Sequence, residues 1–95
     1  MSEKVVHNEQ NNRFEIFVDG ALAGHAAYTP GDGLRDFDHT EIDSEYGGRG
    51  LAGKVVTEAL ADTENAGLAV VPTCSYVHKF VIKNPEHLAH IPTDQ

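Results

Sequence analysis

The stretch Gly47-Gly48-Arg49-Gly50-Leu51-Ala52 constrains this chain more than any other part of it. Its glycines stand directly before a run in which Leu51, Ala52, Val55, Val56, Ala59 and Leu60 recur at helical spacing. The residues ahead of it, Leu34 to Asp43, alternate as a strand does. A strand that turns through glycines into a helix aims the helix's first N–H groups, which have no partner inside the helix, across the turn. The helix dipole adds positive potential there, and glycine lets the backbone approach a guest closely. A phosphate is the natural guest; the bland alternative is a loop that merely tolerates glycine.

The rest of the chain supplies the frame for that turn. Arg13 to Val18 sets Phe14, Ile16 and Val18 against Glu15 and Phe17, and Asp19-Gly20 follows as a turn signal. Lys4 to His7 reads as a short partner strand before the polar turn Asn8 to Asn12. Ala21 to Thr29 reads as the return strand of a hairpin, which Pro30-Gly31-Asp32-Gly33 breaks. On the first helix, Lys54, Glu58 and Asp62 share the polar face, with Lys54 and Glu58 as a surface pair, and Gly67 suits the C-terminal cap. Leu68 to Val71 is an apolar run short enough for a buried strand, and Pro72 ends it. Tyr76, Val77, Phe80 and Val81 form a second helical stripe that Asn84-Pro85 stops, with room for one more turn from Glu86 onward. The order predicted is four strands, a helix, a strand and a helix: a small α/β (α+β) chain, expected to form one domain over residues 1–95.

Ninety-five residues lie near the lower end of what an ordinary core can stabilise, so pairing as a homodimer is one way to bury more surface. The 15 acidic and 7 basic side chains give a net charge of -8, which argues against general nucleic-acid binding. An acidic surface favours a cationic partner such as an amine, although solubility alone would account for it. Cys74 is the only cysteine, so no internal disulfide forms, and the six histidines are scattered; no metal is expected. A free thiol, no apolar run of membrane-spanning length and an opening Met1-Ser2-Glu3-Lys4 unlike a signal peptide lead to the expectation of a cytoplasmic protein, not a membrane one.

Three phosphate motifs compete for the glycine turn. Gly48-Arg49-Gly50-Leu51-Ala52-Gly53 satisfies G-x-G-x-x-G, but the region about twenty positions on reads Val70-Val71-Pro72-Thr73 and offers no acidic residue for a ribose. Gly48 to Lys54 fits G-x-x-x-x-G-K, yet Val55 follows where a hydroxyl should hold magnesium. The third motif, R/Q-x-x-G-x-G/A opening a helix after a strand, resembles the pyrophosphate loop of the GNAT acetyltransferase superfamily. Gly50 and Ala52 occupy its last two specified positions; Gly47 stands where the family usually has Arg or Gln, and Arg49 is a replacement cation within the loop. The blocks His39-Thr40-Glu41-Ile42, Tyr46 to Ala52, Pro72-Thr73-Cys74-Ser75-Tyr76-Val77 and Lys83-Asn84-Pro85 extend the resemblance over roughly residues 12 to 91, to a small branch made of the acetyl-CoA-binding core alone.

The resemblance implies a GNAT-like mixed, mostly antiparallel, splayed sheet and acetyl-CoA as the ligand. Gly47, Gly48, Arg49, Gly50, Leu51 and Ala52 would seat the pyrophosphate, and the pantetheine arm would run between the strand before the motif and Leu68 to Val71. Transfer to an amine needs a base for the amine, a polarised carbonyl and a stabilised thiolate. His39 and Glu41 alternate on their strand, share a face and are candidate bases; a solvated strand surface is the plain alternative. Cys74 precedes a helix, where a thiol's pKa falls. The resembled branch has a cysteine at this place near the CoA sulfur, as a proposed acetyl acceptor, against the plain reading of a small buried side chain. Tyr76 reads foremost as core packing, with proton donation to the departing thiolate as its functional alternative. Lys79 and Lys83 share a helix face within reach of phosphates, though a solvated basic edge is simpler, and Asn84 either caps its helix or contacts the cofactor. The expected function is acetyl-CoA-dependent N-acetyl transfer to a small amine or protein amino group. The alternative is a CoA-binding or acetyl-CoA-sensing module that acts through a protein partner without turnover.

Overall fold

The computed structural model describes residues 2–91. Strands β1 (Glu3–Asn8), β2 (Arg13–Val18), β3 (Ala21–Gly31) and β4 (Leu34–Ile42) form an antiparallel meander in chain order. Helix α1 (Leu51–Asn65) then returns the chain to β5 (Ala69–Val71), which pairs parallel to β4; α2 (Ser75–Lys83) and a 3-10 segment, Pro85–His90, follow. This is the mixed, mostly antiparallel α+β sheet that the resemblance implies.

Strand alternation gives the sheet two unlike faces. One carries Phe14, Ile16, Val18, Ala26, Tyr28 and Phe37 into a core completed by Leu51, Val55, Val56, Ala59 and Leu60 of α1, with Val70, Val77 and Val81. Among the described residues no side chain caps the start of α1, an omission that costs roughly a few tenths of a kcal/mol where glycine holds the cap. Each buried aliphatic side chain contributes about 1.5–3 kcal/mol, so packing against the sheet, not capping, holds α1 in place. The other face bears the row Val6, Glu15, His25 and Glu41, which stand opposite one another across β1 to β4. Beside it run Lys4, Phe17 and Leu22 on one flank and Asn8, Arg13, Ala27 and His39 on the other.

Between Ala27↔His39 and Tyr28↔Phe37, β4 holds one extra residue, Asp38. The bulge matters for the site. Unbroken alternation would put Phe37, His39 and Glu41 on a single face; with the bulge, Phe37 enters the core while His39 and Glu41 face out.

The structure corrects three details of the sequence reading. Pro30 and Gly31 do not break β3 but pair with Arg35 and Leu34, and the turn falls at Asp32-Gly33. Beyond Ala27, β3 has no β2 partner, so the missing Pro30 N–H removes no ladder bond. Lys54 pairs with Glu3 of β1 and not with Glu58. Tyr76 is not core: it is 39% exposed, while its neighbours Val77 and Val81 are buried.

Candidate active site

The glycine turn is built by short local bonds. Asp43 accepts the Glu45 N–H at 3.2 Å and starts a 3-10 turn, Ser44–Tyr46, which the Gly47 N–H closes onto the Ser44 carbonyl, also at 3.2 Å. Gly48 (φ +79°) and Gly50 (φ +73°) then take left-handed conformations that L side chains rarely adopt. Gly50 is the N-cap of α1, and its carbonyl accepts the first helical bond from Lys54. A Cβ grown on Gly48 or Gly50 would meet nothing within 4 Å, so the space over both is open. The first turn of α1 contains no acidic residue. Gly47 itself is extended, at φ −63°, a conformation open to any residue. The Arg49 guanidinium lies 5.5 Å from the Tyr46 ring centroid, and from α2 the Tyr76 hydroxyl comes within 3.6 Å of where a Gly53 Cβ would be.

A wedge opens beside the turn. β5 follows β4 only over Leu34 to Asp36, and the Cys74 N–H closes the pairing on the Phe37 carbonyl at 2.8 Å. Past that bond, among the described residues, no strand pairs with the outer edge of β4. Cys74 stands where the two chains part, as the N-cap residue of α2, with its Sγ 3.6 Å from the Thr40 hydroxyl of β4. Burial alone would push the thiol up. The backbone N–H groups of Val77 and Tyr76, the Thr40 hydroxyl and the Thr40 backbone outweigh it, and the thiol sits below its ordinary value.

His39 and Glu41 do share a face, as alternation requires, and hydrogen-bond at 3.2 Å. Both are exposed, at 58% and 65% of their side chains. Cys74 is not with them. It lies by Thr40, the residue between them, whose side chain points to the opposite face of β4 along with Ala26. The three candidate catalytic side chains therefore divide into a Cys74–Thr40 pair within the wedge and a His39–Glu41 pair on the open face. Sequence reasoning misses Thr40, although a polar residue at a core-facing strand position is a usable signal. It also misses His25, which stands opposite Glu41 with its ring centroid 5.6 Å from that of His39. Burial first, then Arg13 and His39, hold the His25 imidazole below its ordinary value against the raising pull of Glu41 and Glu15. Asn84 caps α2: its side-chain amide and its backbone N–H both donate to the Phe80 carbonyl.

Comparisons with known proteins bear on the family and the fold. The sequence model of the GCN5-related N-acetyl-transferase family matches residues 13–91. Protein NATD1 of Mus musculus is 31% identical over 84 residues, covering 86% of this chain and 76% of that protein. Its Gallus gallus counterpart is 29% identical over 92 residues, covering 93% and 84%. A GCN5-like protein from Staphylococcus aureus, solved by NMR, superposes with a TM-score of 0.71 at 19% identity, over 97% of this chain and 90% of that one. A GNAT family acetyltransferase from Brucella melitensis, crystallised with acetyl-CoA, gives 0.58 at 23% identity, over 72% of this chain and 50% of that one. Among the described residues no helix is long and apolar enough to cross a membrane.

Proposed function

This chain belongs to the GCN5-related N-acetyl-transferase family, and from that premise we propose that residues 1–95 act as one domain that transfers acetyl from acetyl-CoA to an amine. The observation that carries the reading is Cys74, a thiol shifted toward thiolate at the mouth of the wedge between β4 and β5. The residues present suit acetyl-CoA. Over Gly48 and Gly50 there is open space, among the described residues the start of α1 has no capping side chain, and the loop carries the cation Arg49. Gly47 to Ala52 would take the pyrophosphate, while the unpaired edge of β4 beyond Phe37 offers backbone groups to an extended arm. The bound thioester supplies an activated acetyl group; everything else falls to the protein.

Two divisions of labour fit the geometry. In one, Cys74 would attack the thioester carbonyl from within the wedge, its negative charge met by the first N–H groups of α2; the C–S bond to CoA breaks, the departing CoA sulfur takes the thiol's proton, and the acetyl-sulfur bond on Cys74 is then broken by the amine. His39, hydrogen-bonded to Glu41, is placed to take a proton from an amine that arrives over the open face. The net charge of -8 favours a cationic acceptor.

The test is calorimetric titration with acetyl-CoA, with ATP as control, followed by thiol release across a panel of small amines and amino-terminal peptides. Saturable binding of acetyl-CoA but not ATP, with amine-dependent thiol release, is expected. Saturable binding without release for any acceptor would favour the sensing module instead. Absence of binding at millimolar ligand would overturn both.

A further inference from the structure

On the open face of the sheet, opposite the face that carries Thr40 beside Cys74, three side chains with metal-binding atoms converge. His25 lies on β3, directly opposite Glu41 on β4, and His39 is two residues before Glu41 on the same side. One ligand atom from each falls within 4.8 Å of the other two. We propose that His25, His39 and Glu41 form a binding site for a divalent transition-metal ion of the zinc type.

The chemistry and the frame both favour this. Two imidazoles and one carboxylate are the ligand set of open zinc sites and of related sites for iron, nickel and copper. Around a tetrahedral ion with bonds of about 2.0–2.1 Å, neighbouring ligand atoms lie about 3.3 Å apart. His39 Nε2 and Glu41 Oε1 are already at 3.2 Å. The remaining separations close by side-chain rotation alone, because the three Cα atoms are fixed by ladder bonds of two paired strands. The His25 and His39 rings meet at a 43° tilt and do not stack, so their nitrogens can turn to a common point. Three protein ligands leave at least one position open, and the open side is reachable: His25 and Glu41 also line a cleft of 560 Å³ shared with Arg13, Asp43 and Ser44. The bulge at Asp38 assembles the set, since an unbulged register would place Thr40, not Glu41, opposite His25. A bound ion would also occupy the pair proposed above as a base, so metal and acceptor deprotonation at His39 exclude each other.

The test is independent of acetyl transfer. Tag-free protein is titrated with Zn²⁺ by calorimetry and with Co²⁺ by visible absorption, then compared with His25→Ala, His39→Ala and Glu41→Gln. One saturable site is expected, with d–d bands of nitrogen and oxygen ligation and no thiolate charge-transfer band. Each of the three substitutions should weaken it at least tenfold, while Cys74→Ser and His87→Ala leave it unchanged. Zn²⁺ should raise the melting temperature of the unaltered protein but not that of Glu41→Gln, an exposed substitution that keeps the fold if His25→Ala does not. No saturable binding at millimolar ion, binding unaffected by His25→Ala and Glu41→Gln, or binding lost in Cys74→Ser would each overturn the proposal.

Discussion

The two helices of this chain begin in opposite ways. α1 starts at Gly50, left-handed and without a side chain, beneath open space. α2 starts at Cys74, in an extended conformation, with a thiol that the helix's own first N–H groups help to hold below its ordinary value. Both ends carry the positive potential of unpaired N–H groups. At α1, among the described residues, no side chain caps the helix start; at α2 the chain supplies the group that answers that potential. The first start leaves room for the anion proposed above; the second tunes a thiol of the chain's own.

The largest expected break in that contrast is Cys74→Ala. If the α2 end holds the reacting group, turnover falls on the order of a thousandfold while acetyl-CoA still binds; unchanged thiol release would show that its tuned sulfur has no part in the reaction. Gly50→Asp attacks the other end. Aspartate is among the few side chains that enter left-handed backbone, at a strain of about 1 kcal/mol, so the melting temperature should fall by several degrees while the fold holds. Its carboxylate would answer the helix end from within, and acetyl-CoA affinity should fall about a hundredfold, or about 2.7 kcal/mol. Gly50→Asn, uncharged and of the same shape, should lose far less; equal losses would point to shape instead of charge. The smallest effect belongs to Thr40→Val, which keeps the side-chain volume and removes the hydroxyl beside Cys74 Sγ. Because that hydroxyl helps to hold the thiol low, its loss moves the thiol's titration upward, and iodoacetamide at neutral pH should react a few-fold more slowly. A pH–alkylation profile identical to that of the unaltered chain would remove Thr40 from the account.

Much of this architecture is legible in the order of the amino acids alone. Alternation bounds β2 correctly, apolar spacing and the glycines at each end bound α1, and Asn84-Pro85 stops α2 where it ends. The glycine turn is legible because it obeys a local rule, a strand feeding a helix through positive-φ positions. What stays hidden depends on pairing between distant residues. Thr40 and Cys74 are brought together only by the β4–β5 crossover, and no periodicity within either segment reveals it. His25 meets Glu41 through a register that an extra residue at Asp38 offsets by one, and bulges leave little trace in composition. Tyr76 misleads because a helical stripe of four apolar residues need not be buried along its whole width: at the edge of α2 it reaches toward Gly53 instead.

The shortness of β5 has a consequence in time. The meander closes through turns between chain neighbours, whereas β5 reaches β4 only after the whole of α1 has been laid down between Leu34 and Ala69. Three residue pairs, the Ala69–Gly33 and Cys74–Phe37 backbone bonds and one fully buried side chain, Val70, then hold it. Amide hydrogen exchange at Ala69 and Cys74 should therefore be faster than at Ile16 and Ala26, and equal protection would show the sheet opening as one unit. A seam that closes late in folding and opens first afterwards would form the closed end of the wedge proposed above for the arm of acetyl-CoA.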